Sequence, residues 1–257
     1  MIDRRTALLT LLIGTLAPPG FAGASSFRGG VVSLTYDDGL DSQLDIAWPA
    51  LDSRGLHGTF YVTLENIAER AADWQELAAK GHELANHTAS HPCDLRGTGW
   101  RTYGRTQLAP VNRALGRWDG TTSRRDFAYP CDVTDLGPGS PNQQMRRFEA
   151  VLRANDIASA RTSEGPPNSL TWARRHPFRL KALAAGFDAT RLSELTGYLR
   201  SAQLQDRWAI LVFHDLVRAR PSEGQFLAET HDALLDAILK MSIRCHRVCD
   251  VMKEMGA

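Results

Sequence analysis

The sequence predicts a single α/β domain in which strands alternate with helices. Three observations carry that expectation. The runs Val31–Tyr36 and Trp208–Phe213 are rich in β-branched and aromatic residues, as buried strands are, and each stops at acidic or histidine residues. Stretches of helical character, such as Trp74 to Lys80, fall between runs of this kind. The 257 residues suffice for one domain with a substantial core, and no internal repeat or low-complexity linker divides them. Alternation without a divide favours a barrel over two separate domains.

At the N-terminus, Arg4 and Arg5 precede the apolar stretch Ala7 to Leu16, and Ala22-Gly23-Ala24 offers a small-residue cleavage site. Residues 1–24 therefore read as an export signal and residues 25–257 as the mature domain. The paired arginines point to the twin-arginine route. Because the apolar stretch is short for a membrane span, the mature chain is expected in the periplasm or outside the cell, without stable membrane insertion.

The first strand ends in Leu34-Thr35-Tyr36-Asp37-Asp38-Gly39. Successive side chains of a strand point to opposite faces, so one carboxylate can bind a cation while its neighbour stays free to take a proton. The spacing does not say which aspartate does which, and an Asp-Asp-Gly alone also serves as an ordinary turn. Further on, His87-Thr88-Ala89-Ser90-His91 places two histidines four apart, on one face if the segment is helical or begins a helix. One aspartate and two histidines form a three-ligand set of the kind that leaves a position open for water on catalytic zinc. Far downstream, His214-Asp215 follows the strand Trp208–Phe213. Active sites in parallel α/β folds lie at strand C-terminal ends, which makes His214 a candidate general acid.

These motifs resemble those of the polysaccharide deacetylases, the NodB-like domains also called carbohydrate esterase family four. Thr35-Tyr36-Asp37-Asp38-Gly39 matches the first motif, His87-Thr88-Ala89-Ser90-His91 the second and Leu211-Val212-Phe213-His214 the last, while Gly58-Thr59-Phe60-Tyr61-Val62 is similar to the usual second strand. The resemblance runs from about Gly29 to Glu254. It implies a distorted (β/α)7-type barrel with Asp37 as catalytic base, Asp38, His87 and His91 as metal ligands, and His214 as general acid. It implies Zn2+, or another divalent ion such as Co2+, Mn2+ or Ni2+.

The third motif departs from the family pattern. In Phe127-Ala128-Tyr129-Pro130-Cys131-Asp132, Ala128 stands where the family carries the arginine that orients the base. Arg124, Arg125 and Arg161 are candidate replacements, each with an ordinary surface charge as the alternative. Arg161, in Ala160-Arg161-Thr162, is favoured because relatives with a Tyr-Pro third motif carry a similar stretch. Tyr129, Pro130 and Cys131 are expected at the substrate, with a backbone N–H near Cys131 available to an oxyanion. The tryptophan-bearing fourth motif is not recognisable, so the partner of His214 is open.

Export makes disulfides available to the four cysteines. Cys93 and Cys131 flank motifs at the same end of the barrel, so the expected pairs are Cys93 with Cys131 and Cys245 with Cys249. A net charge of +1 calls for no nucleic acid or anionic membrane and suits a neutral glycan. Trp100, Trp118, Trp172 and Trp208 are candidate sugar-stacking faces, with core packing the alternative. Loops from Leu95 to Gly104 and from Asp132 to Asn142 are expected to border the groove. The expected reaction is removal of an N-acetyl group from a glucosamine-containing glycan. O-deacetylation of xylan, hydrolysis of small cyclic imides or amides, and a non-catalytic metal- and glycan-binding role are the alternatives.

Overall fold

Seven short strands curl into one parallel sheet in a computed structural model that describes residues 27–121, 124–188 and 190–256. They are β1 (Val31–Asp38), β2 (Thr59–Val62), β3 (Glu83–Asn86), β4 (Arg125–Ala128), β5 (Ile157–Arg161), β6 (Leu183–Ala184) and β7 (Trp208–Phe213). Their order is β5-β4-β3-β2-β1-β7-β6, with the short strand Arg244–Cys245 added to β1. The barrel expectation is met as a curled half-barrel within a single domain. Its two edges come together through the stretch before β6. There the Leu180 N–H donates to Ala160 (3.0 Å), and the Thr162 N–H donates to Leu180 (3.1 Å). The export-signal expectation for residues 1–24 falls outside the described residues.

Strand alternation explains both faces of the sheet. The outward residues of β1, Val32, Leu34 and Tyr36, pack with Phe60, Leu84 and Phe213 under helices that contribute Trp74, Leu77, Leu195, Leu199, Leu234 and Leu235. These helices include Ala71–Ala79, Leu192–Leu204 and Ala228–Met241. The inward residues of the same strand run Val31, Ser33, Thr35 and Asp37, all buried. Polar side chains are tolerated inside because each finds a partner. Trp208 Nε1 donates to Ser33 Oγ (2.9 Å), and Thr35 Oγ1 donates to the Leu211 carbonyl (2.8 Å). Period-two geometry thus carries Asp37 into the barrel and leaves Asp38 to turn out at its mouth.

Two expectations fail on packing grounds. Cys245 and Cys249 are free thiols. Cys245 packs against the outer core, where burial pushes its thiol up to about 12. Cys249 instead sits on the C-terminal helix Val248–Glu254, whose Cys249 N–H donates to Glu83 Oε2 (3.0 Å). Trp208 is fully buried in the barrel core and Trp118 packs against the outer core, so neither offers a stacking face, whereas Trp100 and Trp172 remain exposed. Among the described residues, no helix is long and apolar enough to cross a membrane.

Beneath the outer helices, the Tyr36 hydroxyl meets His231 Nε2 at 2.8 Å, and both side chains are fully buried. Burial pushes the His231 imidazole down to about 3. An unfolded chain takes up a proton at this residue near pH ~6.5, whereas the folded chain does not until far lower pH. Stability contributed by neutral His231 is therefore complete above that range and declines as pH falls through it. We predict that His231→Gln, which can bond Tyr36 but cannot titrate, flattens the acid slope of stability. Urea unfolding from pH 7 to pH 4 should show the native chain losing up to ~1.4 kcal/mol per pH unit relative to the variant. Parallel slopes would show that His231 does not carry the effect.

Candidate metal and hydrolytic site

Every candidate donor lies where a strand gives way to a loop at the C-terminal edge of the sheet. Asp37 and Asp38 close β1, His87 and His91 follow β3, Cys131 follows β4, Arg161 closes β5 and His214 follows β7. All but Arg161 line one cleft of about 560 Å3, with Tyr129, Asp132, Ser163, Phe187, Asp188 and Glu223 completing the wall.

Asp38 adopts a left-handed backbone (φ 79°), a strained conformation for a residue with a Cβ. Its carbonyl is held by three donors that over-determine the turn: Thr63 N, Thr63 Oγ1 (3.1 Å) and Asn66 Nδ2 (3.0 Å). The histidine segment is a loop and not a helix, so the i, i+4 spacing is not what brings the rings together. Asn86 Oδ1 accepts from the Thr88 N–H (2.8 Å) and Thr88 Oγ1 accepts from the His91 N–H (2.9 Å), folding Thr88 and His91 into positive φ. The two rings then meet edge to face at 4.7 Å.

Asp38 Oδ1 lies 3.4 Å from Nε2 of His87 and 3.4 Å from Nε2 of His91. His87 Nδ1 is 3.0 Å from the Ala128 carbonyl, which can accept the Nδ1 proton when Nε2 serves as a ligand. Burial and the charge of His87 lower the His91 imidazole, favouring the neutral form that a metal requires. Burial raises the Asp38 carboxyl, but the His87 hydrogen bond and the nearby imidazoles outweigh it and bring the net value below the ordinary one. One oxygen and two imidazole nitrogens, mutually within 4.8 Å and facing a cleft, fit a divalent ion.

Asp37 turns inward and meets Arg161, whose Nη2 donates to Asp37 Oδ1. Both are buried, and the guanidinium also lies over the Tyr61 ring, 4.4 Å from its centroid. The burial of Arg161 disfavours its charge, but Asp37 beside it holds the group above its ordinary value. Arg161 pairs in register with Ala128 on the adjacent strand. Arg161 thus reaches Asp37 from one strand over from Ala128, across an interior kept open by the small side chains of Ala85 and Ala128. The other candidates lie at the opposite end: Arg125 opens β4 and pairs with Asp119, and Arg124 borders a cavity on that side.

The third motif separates on inspection. The Tyr129 ring packs against Phe127 and Phe148, and its hydroxyl donates to the Phe178 carbonyl (3.1 Å), away from the cleft. Pro130 is buried in the turn, and only Cys131 presents its side chain at the surface. Cys131 and Asp132 both take positive φ, and the Asp132 carboxylate accepts from Ser163 N (2.8 Å) and Oγ (2.5 Å), tying this turn to the loop after Arg161. Cys93 and Cys131 form a disulfide as expected. The expected loops border a groove of about 1070 Å3 beyond that disulfide, with Trp100, Leu95, Val133 and Leu136 in its lining.

Sequence reasoning missed Gln43. Its side chain is buried, and Nε2 donates both to the Asp37 carbonyl and to the His214 carbonyl (3.2 Å), joining the ends of β1 and β7. Gln43 Oε1 and His214 Nδ1 are buried without a hydrogen-bond partner among the described residues. The amide thus holds the backbone of the histidine, and the side-chain partner that the sequence left open is not supplied among the described residues. A glutamine after a turn carries no signal of this in the sequence. Phe187, edge-on to His214 at 5.3 Å, was missed for the same reason.

Comparison with known proteins agrees with this architecture. The family model described as polysaccharide deacetylase matches residues 24–132. A chitooligosaccharide deacetylase from Sinorhizobium fredii is 36% identical over 89 residues, 33% of this chain and 39% of that protein. The match thus spans about two fifths of the curated relative. Among solved structures, a family 4 acetyl xylan esterase from Clostridium thermocellum, in complex with a cobalt ion, superposes with TM-score 0.54 at 18% identity, over 88% of this chain and 92% of that one. A CE4 family pseudoenzyme from Bacillus anthracis superposes with TM-score 0.56 at 12% identity, over 88% and 66%. These likenesses extend the fold over nearly the whole chain, and they include a protein without activity, so the fold alone does not decide catalysis.

Two predictions follow from the geometry. Arg161→Met leaves Asp37 buried without its counter-charge and should cost about 3–5 kcal/mol in urea unfolding; Ala128→Arg in that background should recover part of the loss. No recovery would mean that the two positions are not interchangeable. Gln43→Met should lower kcat about 10- to 100-fold while KM and metal content stay within twofold, as expected for a residue that positions His214 and Asp37 through their backbone. An unchanged kcat would remove Gln43 from the site.

Proposed function

We propose, for a chain related to the polysaccharide deacetylases by its first two motifs and its half-barrel, a metal-dependent hydrolase that removes N-acetyl groups from a glucosamine-containing glycan. One observation carries the reading: a three-donor metal set, a carboxylate held by a buried arginine and a histidine on a neighbouring strand end all face one cleft. The departure at Ala128, which raised the prospect of a binding domain without turnover, is compensated by Arg161.

Asp38, His87 and His91 would hold the ion. When bound, a divalent ion supplies Lewis acidity, lowering the pKa of water and polarising the acetyl carbonyl. Asp37, next to that set and fixed by Arg161, takes the proton of the attacking water. The turn at Pro130–Asp132 spends the N–H groups of Asp132 and Val133 on its own carbonyls. The Cys131 N–H is the donor we assign to the oxyanion. His214, with Gln43 at its back, gives a proton to the departing amine, and acetate leaves.

The groove beyond the disulfide, with exposed Trp100 on its wall, gives an extended glycan room on one side of the cleft. The S. fredii relative is named for chitooligosaccharides, which favours an N-acetylated substrate. A disulfide between exposed cysteines fits an oxidising compartment, in keeping with periplasmic or secreted placement.

Acetate release from chitooligosaccharides, peptidoglycan and acetylated xylan, with zinc-loaded and chelated protein, tests this reading. Release from an N-acetylated substrate should stop on chelation and return with zinc. Asp37→Asn should lose about 100-fold or more in kcat and keep its metal. Release from xylan alone would replace the N-acetyl reading with an ester one. Undiminished turnover by the Asn variant would remove Asp37 as base.

A further inference from the structure

His91 stands between two donor sets. Its Nε2 faces Asp38 Oδ1 at 3.4 Å, while its Nδ1 faces Cys93 Sγ at 3.7 Å. Cys131 Sγ completes the second set, and the donor atoms of His91, Cys93 and Cys131 lie within 4.8 Å of one another, the same limit that the Asp38, His87 and His91 atoms satisfy. As a disulfide, the two sulfurs are poor metal ligands, because the ligand form of cysteine is the thiolate. Both cysteines are exposed, so a soluble reductant reaches them.

We infer that reduction of the Cys93–Cys131 disulfide opens a second metal site, made by both sulfurs and His91 Nδ1, next to the first. A phosphine or dithiol reductant supplies two electrons; the S–S bond breaks, two protons are taken up, and the phosphine becomes its oxide with an oxygen from water, or the dithiol becomes a disulfide. Each thiol then gives up its proton as it binds the ion. One nitrogen and two thiolates make a soft set suited to Zn2+ or Co2+, with a fourth position for water. The existing backbone favours the site, since the disulfide already holds the Cα atoms 5.4 Å apart across 38 residues of sequence. His91 becomes shared: with Nε2 on the first ion, its ring gives up the remaining N–H proton to solvent and bridges both ions as the imidazolate, so occupancy of the second site bears directly on a ligand of the first. Redox state would then govern how many ions this edge of the barrel holds.

Cobalt is the probe, because thiolate ligation produces a near-ultraviolet charge-transfer band that oxygen and nitrogen ligands do not. The full chain carrying Cys245→Ala and Cys249→Ala, which removes the other two thiols, is titrated with Co2+ before reduction and after phosphine treatment and anaerobic desalting. The expected result is one ion per chain and no charge-transfer band before reduction. After it, two thiols per chain titrate, a second ion binds and the band appears. Cys93→Ser with Cys131→Ser should keep the first ion and never show the band; alkylating the two freed thiols of the folded protein should abolish it likewise. Two freed thiols with no band, a band that survives in the serine variant, or no gain in thiols with no second ion would each overturn the proposal. None of these readouts depends on which substrate the protein hydrolyses.

Discussion

The buried contact between Arg161 and Asp37 is the constraint around which the cleft is organised. A carboxylate and a guanidinium taken from water are expensive, and their attraction offsets that cost only in good geometry. The barrel meets this condition with a π face under the guanidinium at Tyr61 and with small residues at Ala85 and Ala128 that keep the path clear. The pair adds little to stability compared with an apolar core of equal volume. Its value is positional: with one oxygen of Asp37 committed to Arg161, the direction of the other toward the cleft is fixed. Asp38, freed from that contact by the strand's alternation, is left for the histidines.

Much of this was legible in the sequence because it rests on local pattern. The strand at Val31–Tyr36, the acid pair at its end and the strand before His214 follow from period, composition and position at strand ends. Arg161 was readable only through resemblance, since nothing local distinguishes it from a surface arginine. The histidine pair was identified, but its four-residue spacing brings the rings together only in a helix, whereas side-chain capping by Asn86 and Thr88 bends a loop to the same end. Gln43 and Phe187 were invisible because their roles exist only across strands that the sequence does not show to be adjacent. The error at Cys245 and Cys249 has the same origin. Short spacing says nothing of which way two side chains point when one closes a strand and the other rides a helix.

The likeness to both an acetyl xylan esterase and a pseudoenzyme shows how little the half-barrel commits a chain to chemistry. In this chain an alanine stands at position 128, and an arginine stands in register beside it at position 161. The charge beside Asp37 is supplied at a place in space and not at a fixed place in sequence.

The position of β1 has a temporal consequence. It is hydrogen-bonded to β2 on one side and to β7 on the other, though β7 begins only at Trp208. A chain emerging from the ribosome therefore presents Asp38, His87 and His91 while one flank of β1 still has open N–H and C=O groups, an edge prone to wrong pairing. The candidate ligands Asp38, His87 and His91 are synthesised well before His214. Pairing across so long a separation is slow, so the closing step of folding is also the step that brings His214 to the cleft. A chain arrested before that step would present the three candidate ligands without His214 beside them.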